Sequence, residues 1–126
     1  MRRVVKVGII SREDYRRRTI MIASGEYRPR KDEPKIWFES LNSMAQVLGR
    51  ENQALLKTIL EKKPASLGEL EALTGRKKAN LSRTLKTLER YGVVSMERVK
   101  NRVVPKVHAT DFKVEFGLNY SSPLAA

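Results

Sequence analysis

Residues 65–94, ASLGELEALTGRKKANLSRTLKTLERYGVV, constrain the fold more than any other stretch of the chain. Leu67, Leu70 and Leu73 fall at i, i+3 and i+6, an apolar stripe of helical period. Ser66, with Glu69 three residues on, has the spacing of a capping box. Gly75 ends this first helix where a left-handed residue costs least. Leu81, Leu85, Leu88 and Tyr91 then recur at i, i+4, i+7 and i+10 on one face of a second helix, which Gly92 closes. Lys77, Lys78, Asn80, Ser82, Arg83, Lys86, Thr87 and Arg90 are left for its solvent side. From Arg76 to Arg90 six basic residues stand against a single acid, Glu89.

Two short amphipathic helices, a glycine turn and a basic, polar second helix are the parts of a helix-turn-helix. Lys and Arg neutralise phosphates, whereas Asn, Ser, Thr and Arg can hydrogen-bond base edges in the major groove. The competing reading is an ordinary solvated basic helix. Charge, polar identity and turn spacing together favour DNA. Lys78, Asn80, Ser82 and Arg83 are then expected to read bases and Lys77, Lys86, Thr87 and Arg90 to hold phosphates, with Arg76 in the same DNA-binding set.

The segment LGELEALTGRKKANLSRTLKTLERYGVV resembles the helix-turn-helix of winged-helix transcriptional regulators of the MarR/ArsR-like kind. The resemblance is carried by Glu69, Leu70, Gly75, Ser82, Arg83, Leu85, Leu88, Glu89, Gly92, Val93 and Val94. KIWFESLNSMAQVLGRENQALLKTI before it, and VEFGL after it, resemble a family of prokaryotic winged-helix regulators, some encoded beside small toxins. The resemblance spans most of Pro34 to Leu118 and implies a DNA-binding regulator or an antitoxin. One departure stands out: Lys77 occupies the place of the usual Ser or Thr cap before the second helix.

Charge is distributed unevenly. Of the net +12, residues 1–31 contribute +7 and residues 76–90 contribute +5, while residues 32–75 are net −2. Two basic blocks suit a polyanionic partner better than they suit general solubility. No apolar run approaches the roughly 20 residues of a spanning helix, so no membrane partner is expected. Val4 to Ile10 is interrupted by Lys6 and Gly8 and lacks a cleavage site, which argues against a signal peptide. The absence of cysteine removes disulfides, thiol catalysis and thiolate metal sites. A cytoplasmic location is expected.

Along the chain, VVKVGII is a β-branched strand candidate. Ser11 and Asp14 open a helix over about 12–24, stopped by Gly25, with Tyr15, Thr19, Ile22 and Ala23 on one face and Arg12, Arg16, Arg17 and Arg18 mostly outward. Residues 27–34, with two prolines, read as a linker. In KIWFE, Ile36 and Phe38 face one way and Trp37 the other. Ser40 caps a helix to about Leu48, Gly49 breaks it, and a second runs from Arg50 to Lys63 before Pro64. Residues 93–99 and 102–107 form a β-hairpin about Lys100-Asn101, with Asn supplying positive φ. Pro105 can only sit on an edge or at a bulge. Arg98, Lys100 and Arg102, with Lys106, make this wing basic enough to meet phosphate or the minor groove. FKVEF alternates, with Phe112, Val114 and Phe116 inward, and is placed against residues 35–39.

The expected fold class is α+β, a winged helix-turn-helix with a short β-hairpin wing. The organisation is a basic N-terminal arm (1–34), a DNA-binding domain (35–118) and a tail (119–126). His108 is the only histidine, no Gly-rich phosphate loop is present, and the acid pairs lack an apolar setting that would separate their pKa values. No catalytic residue, metal or cofactor is therefore expected. The partners expected are double-stranded DNA and a second copy of the chain, with Tyr15, Trp37 and the 41–48 helix as candidate dimer surface. The rival reading is an antitoxin whose arm grips a toxin; a third is a non-specific chromatin or RNA protein.

Overall fold

Periodicity carries over directly into helices. The structure, a computed structural model, describes residues 2–118; the tail expected over 119–126 lies outside the described residues. The elements are β1 (Val4–Ile9), α1 (Arg12–Ser24), β2 (Ile36–Phe38), α2 (Leu41–Val47), α3 (Arg50–Lys62), α4 (Leu67–Thr74), α5 (Lys78–Arg90), β3 (Val94–Val99), β4 (Arg102–Val107) and β5 (Asp111–Glu115). The described residues are thus mixed α+β, with five helices and two small sheets.

The helix starts follow side-chain caps. Ser11, Ser40 and Ser66 accept from the backbone N–H groups of Asp14, Ser43 and Glu69 respectively, each satisfying an orphan donor of a first turn. Gly25 and Gly75 close α1 and α4 at φ 83° and 74°, the left-handed region where Cβ is penalised. At the α2–α3 break, Asn52 and Gln53 donate to the carbonyls of Val47 and Leu48. Those bonds satisfy groups that the end of α2 leaves free.

Leu55, Leu56 and Ile59 of α3, Leu70 of α4, and Leu81, Leu85 and Leu88 of α5 form the core, with Val93, Val94, Val7, Ile36 and Phe38. Tyr91, at the end of α5, stacks on Phe38 with centroids 4.5 Å apart. The three buried leucines of α5 are each worth roughly 1.5–3 kcal/mol. Repulsion between neighbouring surface cations costs only a few tenths each, so α5 holds its charged face without being lifted off the core. Leu73 departs from the expected stripe and is exposed. Steps of three residues drift by about 60° on a 3.6-residue helix, and the third leucine passes off the core side.

The first sheet has the order β2-β1-β5, all parallel. Val7 registers with Ile36 on one side and Val114 on the other. This corrects the expected pairing of FKVEF with residues 35–39: β5 lies beside β1 and does not touch β2. Phe112 packs against the core, but Val114 and Phe116 are exposed. β1, which lies within residues 1–34, is the middle strand and pairs with later segments on both edges.

Residues 27–34 are not a free linker. Glu33 and Pro34 are buried, Lys6 Nζ donates to the Asp32 carbonyl, and Lys35 N–H donates to the Lys6 carbonyl. Arg18, expected outward, is buried: it meets Glu33 Oε1 at 3.5 Å and lies 5.2 Å from the Trp37 ring centroid. Glu33 also accepts from the Arg30 N–H. Trp37, half-buried, thus has one contact of its ring inside the chain. A Cβ on Gly8 would come within 2.6 Å of the Trp37 ring and 2.8 Å of Pro34, so glycine is what lets the loop and indole close over β1.

The hairpin pairs β3 with β4, Val99 opposite Arg102, leaving Lys100-Asn101 as the two-residue turn. Positive φ falls on Lys100 (58°) instead of the expected Asn101. In a two-stranded sheet both strands are edges, which accommodates Pro105 opposite Met96.

Candidate functional site

The second helix of the 65–94 unit starts without a local cap: Lys77, at its N-cap, makes no side-chain capping bond. The carboxylate of Glu71 in α4 supplies the missing acceptor, taking the Lys78 N–H at 3.1 Å. A negative group at a helix N-terminus is favoured by the helix dipole as well as by the hydrogen bond. The turn between the helices is also tied down, with Thr74 Oγ1 donating to the Leu70 carbonyl and accepting from the Arg76 N–H. Together these bonds fix the direction of α5 relative to α4.

Arg76 does not belong to the free cationic set. Its guanidinium donates to the Glu51 carbonyl at 2.6 Å and to Asn52 Oδ1 at 3.4 Å, and the residue is half-buried. It clamps the α4–α5 turn to the start of α3. Lys77, Lys78, Asn80, Arg83, Lys86 and Arg90 are exposed, as expected, and Ser82 and Thr87 are half-buried.

These side chains do not form one undivided row. At 3.6 residues per turn, Arg83, Lys86 and Arg90 lie within about 60° of one another, opposite the buried leucines. Asn80, Thr84 and Thr87 flank them on one side, and Ser82 lies on the other, about 160° from Asn80. The expected grouping of Lys78, Asn80, Ser82 and Arg83 therefore splits. Asn80 and Arg83 stay together, whereas Lys78 and Ser82 lie on the opposite flank from Asn80.

Two open depressions run along the Asn80 side. One, of about 850 Å³, lies between α3, α4 and the start of α5, with Glu51, Asn52, Arg76, Asn80 and Arg83 in its wall. The other, about 300 Å³, is lined by Gln46, Asn52, Asn80, Arg83, Thr84 and Thr87. Arg83 and Asn80 border both. Gln46, Asn52 and Thr84 are polar wall residues that the sequence reading missed. Thr84 could have been found by helical spacing, four residues after Asn80. Gln46 and Asn52 belong to other helices and carry no local signal.

At the hairpin, Val94 is buried and Met96 packs on the core, while Arg98, Lys100 and Arg102 stand exposed at the tip. Lys106 is paired with Glu97 at 3.4 Å. His108 meets Ser95 Oγ at 2.6 Å and its N–H donates to the Val93 carbonyl, which makes it a latch at the hairpin base. The ion pairs among the described residues use Arg2, Lys6, Arg12, Arg18, Arg30 and Lys106. None uses Lys77, Lys78, Arg83, Lys86 or Arg90, nor Arg98, Lys100 or Arg102. Eight cations on α5, its N-cap and the hairpin tip thus have no acidic partner among the described residues.

Among the described residues no helix is long and apolar enough to cross a membrane, and no cluster of three or more His, Asp or Glu is arranged to hold a metal ion. The model of a protein family described as HVO_A0114 matches residues 39–114. No curated protein and no solved structure matches the chain.

Proposed function

The chain belongs to the HVO_A0114 family, and we propose that it is a winged helix-turn-helix regulator that binds specific sequences in double-stranded DNA. The observation that carries this reading is the set of eight unpaired cations on α5 and the hairpin tip. A polyanion would neutralise them, and releasing its counterions would drive association. In this reading α4 and α5 are the helix-turn-helix and α5 enters the major groove. Arg83 and Asn80 then reach base edges, while Lys77, Lys86 and Arg90 hold phosphates. Arg98, Lys100 and Arg102 are the wing, lying along the flanking backbone.

In this reading Arg76, which donates to the Glu51 carbonyl, acts chiefly by holding the α4–α5 turn against α3, and Ser82 lies on the flank of α5 away from Asn80. The alternative, an antitoxin that grips a toxin through its basic N-terminal region, has no specific observation in its favour.

Binding of the full chain to its own promoter fragment, compared with random duplex by fluorescence anisotropy, tests the proposal. Arg83→Ala is expected to cost about 1–3 kcal/mol on the specific site and to relax base preference there. Lys86→Ala should weaken both duplexes alike. If two copies neutralise about ten phosphates, log K falls against log salt with a slope near −9. Equal losses on both duplexes for both variants would remove base reading from Arg83. A salt slope near zero would sink the whole reading.

A further inference from the structure

Strand β5 is the outer member of its sheet, so among the described residues one of its edges has no partner. The opposite outer strand, β2, is only three residues long and offers little to pair with. Asp111 turns its N–H toward β1, donating to the Arg3 carbonyl at 3.2 Å. The two-residue period of a strand turns Lys113 and Glu115 the same way and leaves the backbone groups of Phe112 and Val114 on the open edge, with Phe116 directly after the strand. Val114 is 43% and Phe116 55% exposed. An open edge with apolar side chains is a surface that proteins usually cover or blunt.

The segment Phe112-Lys113-Val114-Glu115-Phe116 is chemically complementary to its own reverse. Set antiparallel to a second copy about a two-fold axis at Val114, it places Val114 opposite Val114, Phe112 opposite Phe116 and Lys113 opposite Glu115. The outward-facing backbone groups belong to the residues that such a register joins in hydrogen-bonded pairs. Phe112 sits beside Val5, on the face that packs toward the core. It also lines an apolar groove of about 320 Å³ with Leu48, Leu56, Leu60 and Ala109. Phe116 of the second copy, set beside Phe112 on that face, is directed at this groove.

We propose that β5 is the homodimer interface of this protein, two copies pairing antiparallel about Val114 to make one six-stranded sheet. Edge geometry, apolar exposure, charge register and the adjoining groove converge on the same occupant. The inference stands apart from the DNA-binding reading, and no nucleic acid enters its test.

Because the chain has no cysteine, V114C introduces a single reporter. Cα atoms of a hydrogen-bonded antiparallel pair lie about 5.5 Å apart, within disulfide reach. Mild oxidation should cross-link V114C into a covalent dimer and leave I20C, exposed on α1, monomeric. In sedimentation equilibrium, K113E sets like charges opposite each other twice and should weaken the dimer about tenfold. The swap K113E/E115K should restore it. A wild-type chain that sediments as a monomer up to its solubility limit would overturn the proposal. So would an unchanged dimerisation constant for K113E, or I20C cross-linking as readily as V114C.

Discussion

Arg18 and Glu33 form a deeply buried ion pair, with side chains 10% and 3% exposed and 3.5 Å apart. Arg18 Nε is buried without a hydrogen-bond partner, so part of the guanidinium's desolvation is offset only by the Trp37 ring. Burial of this kind makes a pair nearly neutral when intact and expensive when halved. Arg18→Met or Glu33→Gln alone should therefore destabilise the fold by on the order of 3 kcal/mol. The double variant should recover most of that loss, because neither charge is then stranded. Urea unfolding of the three variants gives the cycle; additive losses would mean that the two residues act separately. A sequence reading that puts four arginines outward on α1 cannot find this pair. Burial of Arg18 depends on Glu33 and Trp37, 15 and 19 residues away in the chain and brought together only when residues 27–34 fold back over β1.

Among the elements, legibility in the sequence follows the range of the interactions. Helix α5 is readable from its leucines, since burial at a 3.6-residue period is local information. Its start is not, because the cap comes from Glu71 on α4 and a foreign carboxylate leaves no mark beside Lys77. The hairpin was readable from two β-branched runs around a turn, but positive φ lands on Lys100. Left-handed backbone costs a residue with a Cβ about 1 kcal/mol relative to glycine. Lys100→Gly should therefore raise stability by up to about 1 kcal/mol while lowering DNA affinity and reducing the salt slope by about one per protomer. The opposite signs separate the two roles of the position. A thermal melt with a parallel salt titration measures both, and unchanged affinity would take the hairpin tip out of the interface.

At the scale of the whole molecule, the sheet was the least legible part, since parallel strands are joined by long crossovers and alternation identifies a strand's buried face, not its neighbour. β1 and β5 register Val4 with Asp111 across more than a hundred residues. The consequence bears on how the basic N-terminal region can be tested. Removing residues 1–34 deletes the strand that joins β2 to β5, and with it Val7, Arg18 and Glu33 from the buried set. Phe38 and Phe112 would lose their cover, and fully burying one aromatic side chain is worth roughly 1.5–3 kcal/mol. Total stability of a domain this size is only about 5–15 kcal/mol, so losing one strand of three with its packing should abolish cooperative unfolding. Any accompanying loss of DNA binding would then report unfolding and not an arm lifted off the duplex. Exposed cations of α1 can instead be removed in place: Arg12→Ala with Arg16→Ala should leave the melting profile nearly unchanged, since surface ion pairs such as Arg12–Glu39 are worth little. If that double variant retains full affinity while the truncation unfolds, the N-terminal region is scaffold. A truncated chain that still melts cooperatively would show that β1 is dispensable and that the sheet described above is not integral to the fold.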